Sequence, residues 1–169
     1  YQQSVDGTPL VSVLSEQGMI PGIKVDKGTQ PLAGSPMEMI TEGLDGLSDR
    51  LKEYAQRGAR FTKWRAVITI GENIPSPYCI HTNAHALARF ARLSQESGLV
   101  PIVEPEVLMD GSHSIDLCSE ASEATLKEVF AQLATQGVIL EGMLLKPSMV
   151  LSGSTAPNRA TPEEVAEKT

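Results

Sequence analysis

The residue with the clearest chemical potential is Lys146, at the end of the apolar run Gly142-Met143-Leu144-Leu145-Lys146-Pro147. A free lysine of pKa about 10.4 is only roughly 0.04% neutral at pH 7. Burial beside Met143, Leu144 and Leu145 would lower that pKa towards about 7–8 and release a nucleophilic amine. A shift of three units costs about 4 kcal/mol, so a chain rarely carries one without a use. The alternative is a lysine that buries only its stem and snorkels from the sheet edge into water.

Further charged side chains occur in pairs two residues apart: Lys24 with Asp26, Lys63 with Arg65, and Glu104 with Glu106. On a strand, residues two apart share a face. With Lys146 they bring four cations and three carboxylates together. As a purely structural network this would be costly to desolvate. In a site, the cations bind phosphate oxygens, a carboxylate moves protons, and one lysine becomes a nucleophile among cationic neighbours.

The elements that must position these groups follow a period near forty. Gly18, Gly58, Gly98 and Gly137 each fall after a helical pattern and before an apolar run. Helices are expected over 9–17, 48–57, from Ser76-Pro77 to Gly98, and over 116–136, with strands over 20–26, 59–70, 99–105 and 142–147. The glycine- and proline-rich stretch 27–35 reads as a loop. Thr161-Pro162-Glu163-Glu164 reads as a capping box that opens a last helix. Helix, glycine, strand and charged strand end, repeated, describe a βα repeat. No G-x-G-x-x-G or P-loop supports a nucleotide-binding open sheet. Charge at the strand ends favours a (β/α)8 TIM barrel, in which sites lie at that end. Four strands are half of one. The expectation is therefore one partial barrel domain over 1–169, with both ends reading as cuts through a longer protein.

Inward residues are expected to be Leu10, Val13 and Leu14 in the first helix, and Ile80, Ala84, Leu87, Ala88 and Ala91 in the third. In the fourth they are Leu117, Ala121, Leu126, Val129, Phe130 and Leu133. Trp64 faces away from Lys63 and Arg65, into the helical layer. Cys79 and Cys118 lack metal spacing and read as buried free thiols. His81 and His85 are four apart on a helix, a spacing that can chelate a metal, but no third ligand is evident. They and His113 read as surface or packing residues.

The strand motifs, taken together, resemble class I fructose-1,6-bisphosphate aldolases. The likeness rests on Gly22-Ile23-Lys24-Val25-Asp26-Lys27-Gly28, Gly43-Leu44-Asp45-Gly46-Leu47, Lys63-Trp64-Arg65, Ile102-Val103-Glu104-Pro105-Glu106 and Leu144-Leu145-Lys146-Pro147. It covers essentially the whole chain and implies strands three to six of the family's barrel. It implies that Lys146 forms a Schiff base with the substrate ketone and that Glu104 transfers protons. Lys63 would hold charge beside the reacting hydroxyl. Arg65 and Lys24 would meet the phosphate end of the substrate, and Asp26 and Glu106 would orient those cations. The implied reaction is reversible cleavage of fructose 1,6-bisphosphate to two triose phosphates, with no metal or other cofactor and, in the family, a homotetramer. The first-strand aspartate of the family and its late phosphate-binding loop would lie outside 1–169. At Ser148 many relatives have asparagine. Another Schiff-base aldolase on the same barrel, or a non-catalytic fragment, remains open.

Composition sets the outer bounds. The chain has 169 residues, 41% of them hydrophobic, and a formal charge of −7. That charge argues against a general nucleic-acid or anionic-membrane surface. No apolar run is long enough to span a bilayer and no signal peptide is visible, so the cytoplasm is the expected compartment.

Overall fold

In the computed structural model, residues 2–169 are described. Helix α1 spans Leu10–Glu16, with Pro9 at its N-cap position, and β1 spans Gly22–Lys24. Strands β2 (Thr29–Leu32) and β3 (Ser35–Thr41) follow, then α2 (Leu47–Gln56) and β4 (Phe61–Ile68). Next come α3 (Pro77–Glu96), β5 (Val100–Val107) and α4 (Ile115–Thr135). A 3-10 turn at Leu140–Gly142, β6 (Leu144–Leu145) and α5 (Pro162–Lys168) complete the chain. The four-stranded sheet has the order β1-β4-β5-β6 and is parallel throughout.

The punctuating glycines do what a left-handed residue does after a helix. Gly18, Gly58, Gly98 and Gly137 have φ of +74°, +103°, +71° and +66°. They close α1 to α4 and turn the chain towards the next strand or turn. Ser76 caps α3 by accepting from the Cys79 N–H, and Thr161 with Glu164 forms the capping box of α5. Trp64 lies between β4 and α3, fully buried, with its ring 5.6 Å from that of Phe90. All five residues expected to face inward on α3 are buried.

Four expectations fail, each for a physical reason. The stretch 27–35 is not a loop: it holds β2 and the start of β3, an antiparallel ribbon turning at Gly34. Two-stranded ribbons tolerate proline where a central strand does not, so Pro31 and Pro36 hid the pattern. On α4, Leu117 is 49% exposed and Phe130 40%. The buried stripe is Cys118, Ala121, Ser122, Thr125, Val129 and Leu133. One residue is about 100° of helix, so a stripe drawn through hydrophobic residues alone slipped sideways past buried Ser122 and Thr125. Helix α1 buries none of its residues fully. Finally, the strand before Lys146 is only two residues long and lies at the sheet edge, with Leu144 56% exposed. Its outer edge is unpaired, because β5 is its one strand neighbour among the described residues.

Candidate active site

The charged pairs stand on one face of the sheet because the strand pleat alternates. On β4, Thr62 and Trp64 turn towards α3, where Thr62 donates to Ser94 at 2.9 Å and Trp64 meets Phe90. Lys63 and Arg65 therefore turn to the other face. In register, Lys24 lies beside Lys63, Arg65 beside Glu104 and Val67 beside Glu106. Lys63 and Glu104 sit within their strands rather than at the ends, because β4 and β5 run on to Ile68 and Val107.

Glu104 is the centre of the cluster. It is 2% exposed, and its two carboxylate oxygens meet two different lysines. Lys146 Nζ donates to Oε1, and Lys63 Nζ lies 2.7 Å from Oε2. Burial alone would raise the Glu104 pKa; hydrogen bonds and charge from Lys146 and Lys63 outweigh it and hold the carboxyl below its usual range. Lys63 is 31% exposed and Lys146 59%, so the Lys146 amine is tethered to a buried carboxylate but not itself enclosed. Its expected burial is not met among the described residues, which form one half of the expected barrel and end their sheet at β6.

The second group surrounds Asp26. Its side chain is 2% exposed and accepts from Lys24 and from the Gly28 N–H at 3.1 Å, while Oδ2 lies 3.4 Å from the Arg65 N–H. Arg65 Nε donates to Glu106. That hydrogen bond raises the Arg65 pKa against an opposing effect of burial, with the charges of Glu106, Glu104 and Asp26 adding to the rise. All seven residues singled out from the sequence thus fall into two adjoining groups, with Lys24, Lys63, Arg65, Glu104 and Glu106 on β1, β4 and β5, Asp26 just past β1 and Lys146 just past β6.

Two supporting residues were missed. Arg50, on α2, donates to the Val25 carbonyl at 2.9 Å and to the Gly43 carbonyl, fixing the exit of β1 that carries Lys24 and Asp26. Glu38, on β3, is 1% exposed and accepts from the Ser76 N–H at 2.7 Å and from the hydroxyls of Ser35 and Ser76 at 2.8 and 2.5 Å. It locks the β2–β3 ribbon to the start of α3. Alternating polarity over 35–41 was the one signal for Glu38; nothing marked Arg50.

The remaining candidates lie elsewhere. His81 Nδ1 is 2.8 Å from Glu128 Oε1 and His85 Nδ1 3.3 Å from Gln136 Nε2, both on the outer helices. Among the described residues, no group of three or more His, Cys, Asp or Glu side chains is placed to hold a metal. His113 is buried in the loop after β5, whose backbone joins the 153–155 segment through three hydrogen bonds of 2.7–2.9 Å. Cys79 and Cys118 are buried free thiols, and burial, with the Glu38 charge second, pushes the Cys79 pKa up to about 11.

A family model described as fructose-bisphosphate aldolase class-I matches residues 1–169. The chain belongs to that family. It is 61% identical over 168 residues to a "Probable fructose-bisphosphate aldolase class 1" of Xanthomonas campestris, which covers 99% of this chain and 50% of that protein. It is 55% identical over 169 residues to "Fructose-bisphosphate aldolase 6, cytosolic" of Arabidopsis thaliana, 47% of whose length is matched. A solved fructose-bisphosphate aldolase of Plasmodium falciparum, in complex with TRAP and a small-molecule inhibitor, superposes with a TM-score of 0.96. It is 45% identical, and the match covers 100% of this chain and 49% of that one. The chain spans about half the length of the curated relatives it matches. Its four parallel strands and their helices form half of a (β/α)8 barrel.

Proposed function

We propose that the intact protein containing this chain cleaves fructose 1,6-bisphosphate reversibly to glycerone phosphate and glyceraldehyde 3-phosphate, through a Schiff base on Lys146. The observation that carries the reading is the carboxylate of Glu104, buried and shared between Lys146 and Lys63. An ammonium must lose a proton before it can attack a ketone, and Glu104 is the base within reach. Attack of the amine on the ketone carbon forms a carbinolamine. Its hydroxyl then takes a proton and leaves as water, giving the imine, and a carboxyl just charged by Lys146 is placed to supply that proton. As the carbon–carbon bond breaks, the hydroxyl on the departing carbon gives its proton to a carboxylate and becomes the aldehyde carbonyl, and the bond's electrons pass to the protonated imine, leaving an enamine, so the nitrogen serves as the electron sink.

Lys63 balances the negative charge that Glu104 carries between these transfers. Lys24 and Arg65 present cations on the same sheet face for a phosphate, and Asp26 and Glu106 keep them aimed by pairing on one side only. The cytosolic plant relatives support a cytosolic place for the protein, and no helix among the described residues is long and apolar enough to cross a membrane.

The test is reductive trapping. Borohydride added to the intact protein with glycerone phosphate reduces the imine to a stable secondary amine. Peptide mass mapping is expected to find the adduct on Lys146. An adduct elsewhere, or none, overturns the reading, and a panel of sugar phosphates separates fructose 1,6-bisphosphate cleavage from another Schiff-base aldol reaction.

A further inference from the structure

The β5–β6 ladder ends at the residue proposed as nucleophile. Ile102 pairs with Leu144 and Val103 with Leu145, and the Lys146 N–H donates to the Val103 carbonyl at 2.9 Å. A parallel ladder would continue through the N–H of residue 105, and Pro105 has none. The backbone just beyond Lys146 therefore has no ladder bond to hold it against β5. One contact replaces the missing bonds. The Val107 N–H, at the end of β5, donates to the side-chain oxygen of Ser148 at 3.1 Å. Val107 is 5% exposed, so this donor lies away from water and depends on that hydroxyl.

We infer that Ser148 is a positioning residue for Lys146. Its hydroxyl, held by the Val107 N–H, and the Val103 carbonyl pin the chain on either side of the lysine, and the same two β5 residues flank Glu104. The Lys146–Glu104 contact is thus held at both ends of one short frame. The inference rests on the Schiff-base reading, since it concerns the rate at which that imine forms. Ser148 acts through the backbone that carries Lys146, its hydroxyl being taken up by the Val107 N–H. Nothing in the motif spacing marks it, because the signal is one proline, Pro105, that removes a ladder donor beside Lys146.

The experiment measures the rate of borohydride-trapped adduct on Lys146 of the intact protein at saturating glycerone phosphate. Wild type, Ser148→Ala, Ser148→Cys and Ser148→Thr are compared, with thermal unfolding of each. Ser148→Ala is expected to slow trapping at least about tenfold, since a displacement of about 1 Å can cost up to about a hundredfold. Ser148→Cys, closest in shape but a poor acceptor, is expected to slow it by about threefold to tenfold, and carries the test should Ser148→Ala not fold. Ser148→Thr keeps the hydroxyl and is expected to stay within about twofold of wild type in rate. A further readout is the KM for substrate, which is expected to change less than kcat. Trapping at the wild-type rate in Ser148→Cys overturns the inference, as does equal slowing in the Thr and Cys variants. Absence of the wild-type adduct would be a failure of the Schiff-base reading itself.

Discussion

Glu38 and Glu104 are two carboxylates buried to almost the same degree, at 1% and 2% exposure, and their partners differ in kind. Glu38 is surrounded by neutral donors: one backbone N–H and two serine hydroxyls. None of these can deliver its proton at ordinary pH, so the charge stays where it is and the contacts serve as a clamp. Glu104 faces two ammonium groups, and the proposed reaction has one of them, Lys146, hand over a proton. Both carboxyls sit below their usual pKa. For Glu38, burial opposes and the Ser76 hydroxyl and N–H prevail, with Ser35 adding to them; for Glu104, burial opposes and Lys146 and Lys63 prevail. Burial and a lowered pKa therefore do not distinguish a site from a staple. The chemistry of the donors does.

The largest effect that would break this contrast is at Lys146 itself. Lys146→Met is expected to abolish the borohydride adduct and to lower kcat by about a thousandfold or more, as loss of a covalent nucleophile does. Activity retained within tenfold would show that the cluster is electrostatic scenery. Next in size is Glu104→Gln, which keeps shape and removes the base. A general acid–base group contributes about 10²–10⁴-fold, so kcat is expected to fall by that much. Stability is expected to fall by only about 1–2 kcal/mol in urea unfolding, since Gln keeps the shape and one acceptor and both lysines reach solvent in part.

Glu38→Ala is expected to do the opposite. It removes an acceptor from the Ser76 N–H and from two hydroxyls in a closed site, at a cost of about 2–4 kcal/mol. That is a visible drop in the urea midpoint, with kcat changed by less than about threefold. A variant that kept its stability and lost its turnover would reverse the two assignments.

The same contrast explains what could be read in advance. The βα order, the glycines closing each helix and the seven charged residues on the sheet were legible because each depends on local chemistry: cap, turn and pleat. Glu38 was not, because its partner Ser76 is 38 residues away and becomes a neighbour only once the ribbon folds back on α3. The inward face of α4 was misplaced at Leu117 and Phe130 because buried Ser122 and Thr125 looked like surface. The enclosure of Lys146 was overestimated because an apolar run says nothing of how many neighbours its strand has. Sequence carries periodicity well and long-range pairing poorly.

The smallest effect isolates the charge on Glu38 from its shape. Its folded pKa lies below that of the unfolded chain, which for a glutamate is about 4.3. The ionised form then stabilises the fold above about pH 4.3, and that contribution is lost as the pH falls through the folded value. Glu38→Gln keeps an acceptor for the Ser76 N–H and removes the titration. Its urea midpoint at pH 7 is expected to lie below that of wild type by less than for Glu38→Ala. The gap is expected to narrow as the pH falls from 7 to below about 4.3 and through the folded value, where the wild-type carboxyl takes up its proton. Glu104→Gln gives the matched control, because Glu104 titrates in the same direction but against lysines that water already screens. If the gap for Glu38→Gln stayed constant across that range, the clamp would be working through shape alone, and charge would count only where a lysine can give its proton away.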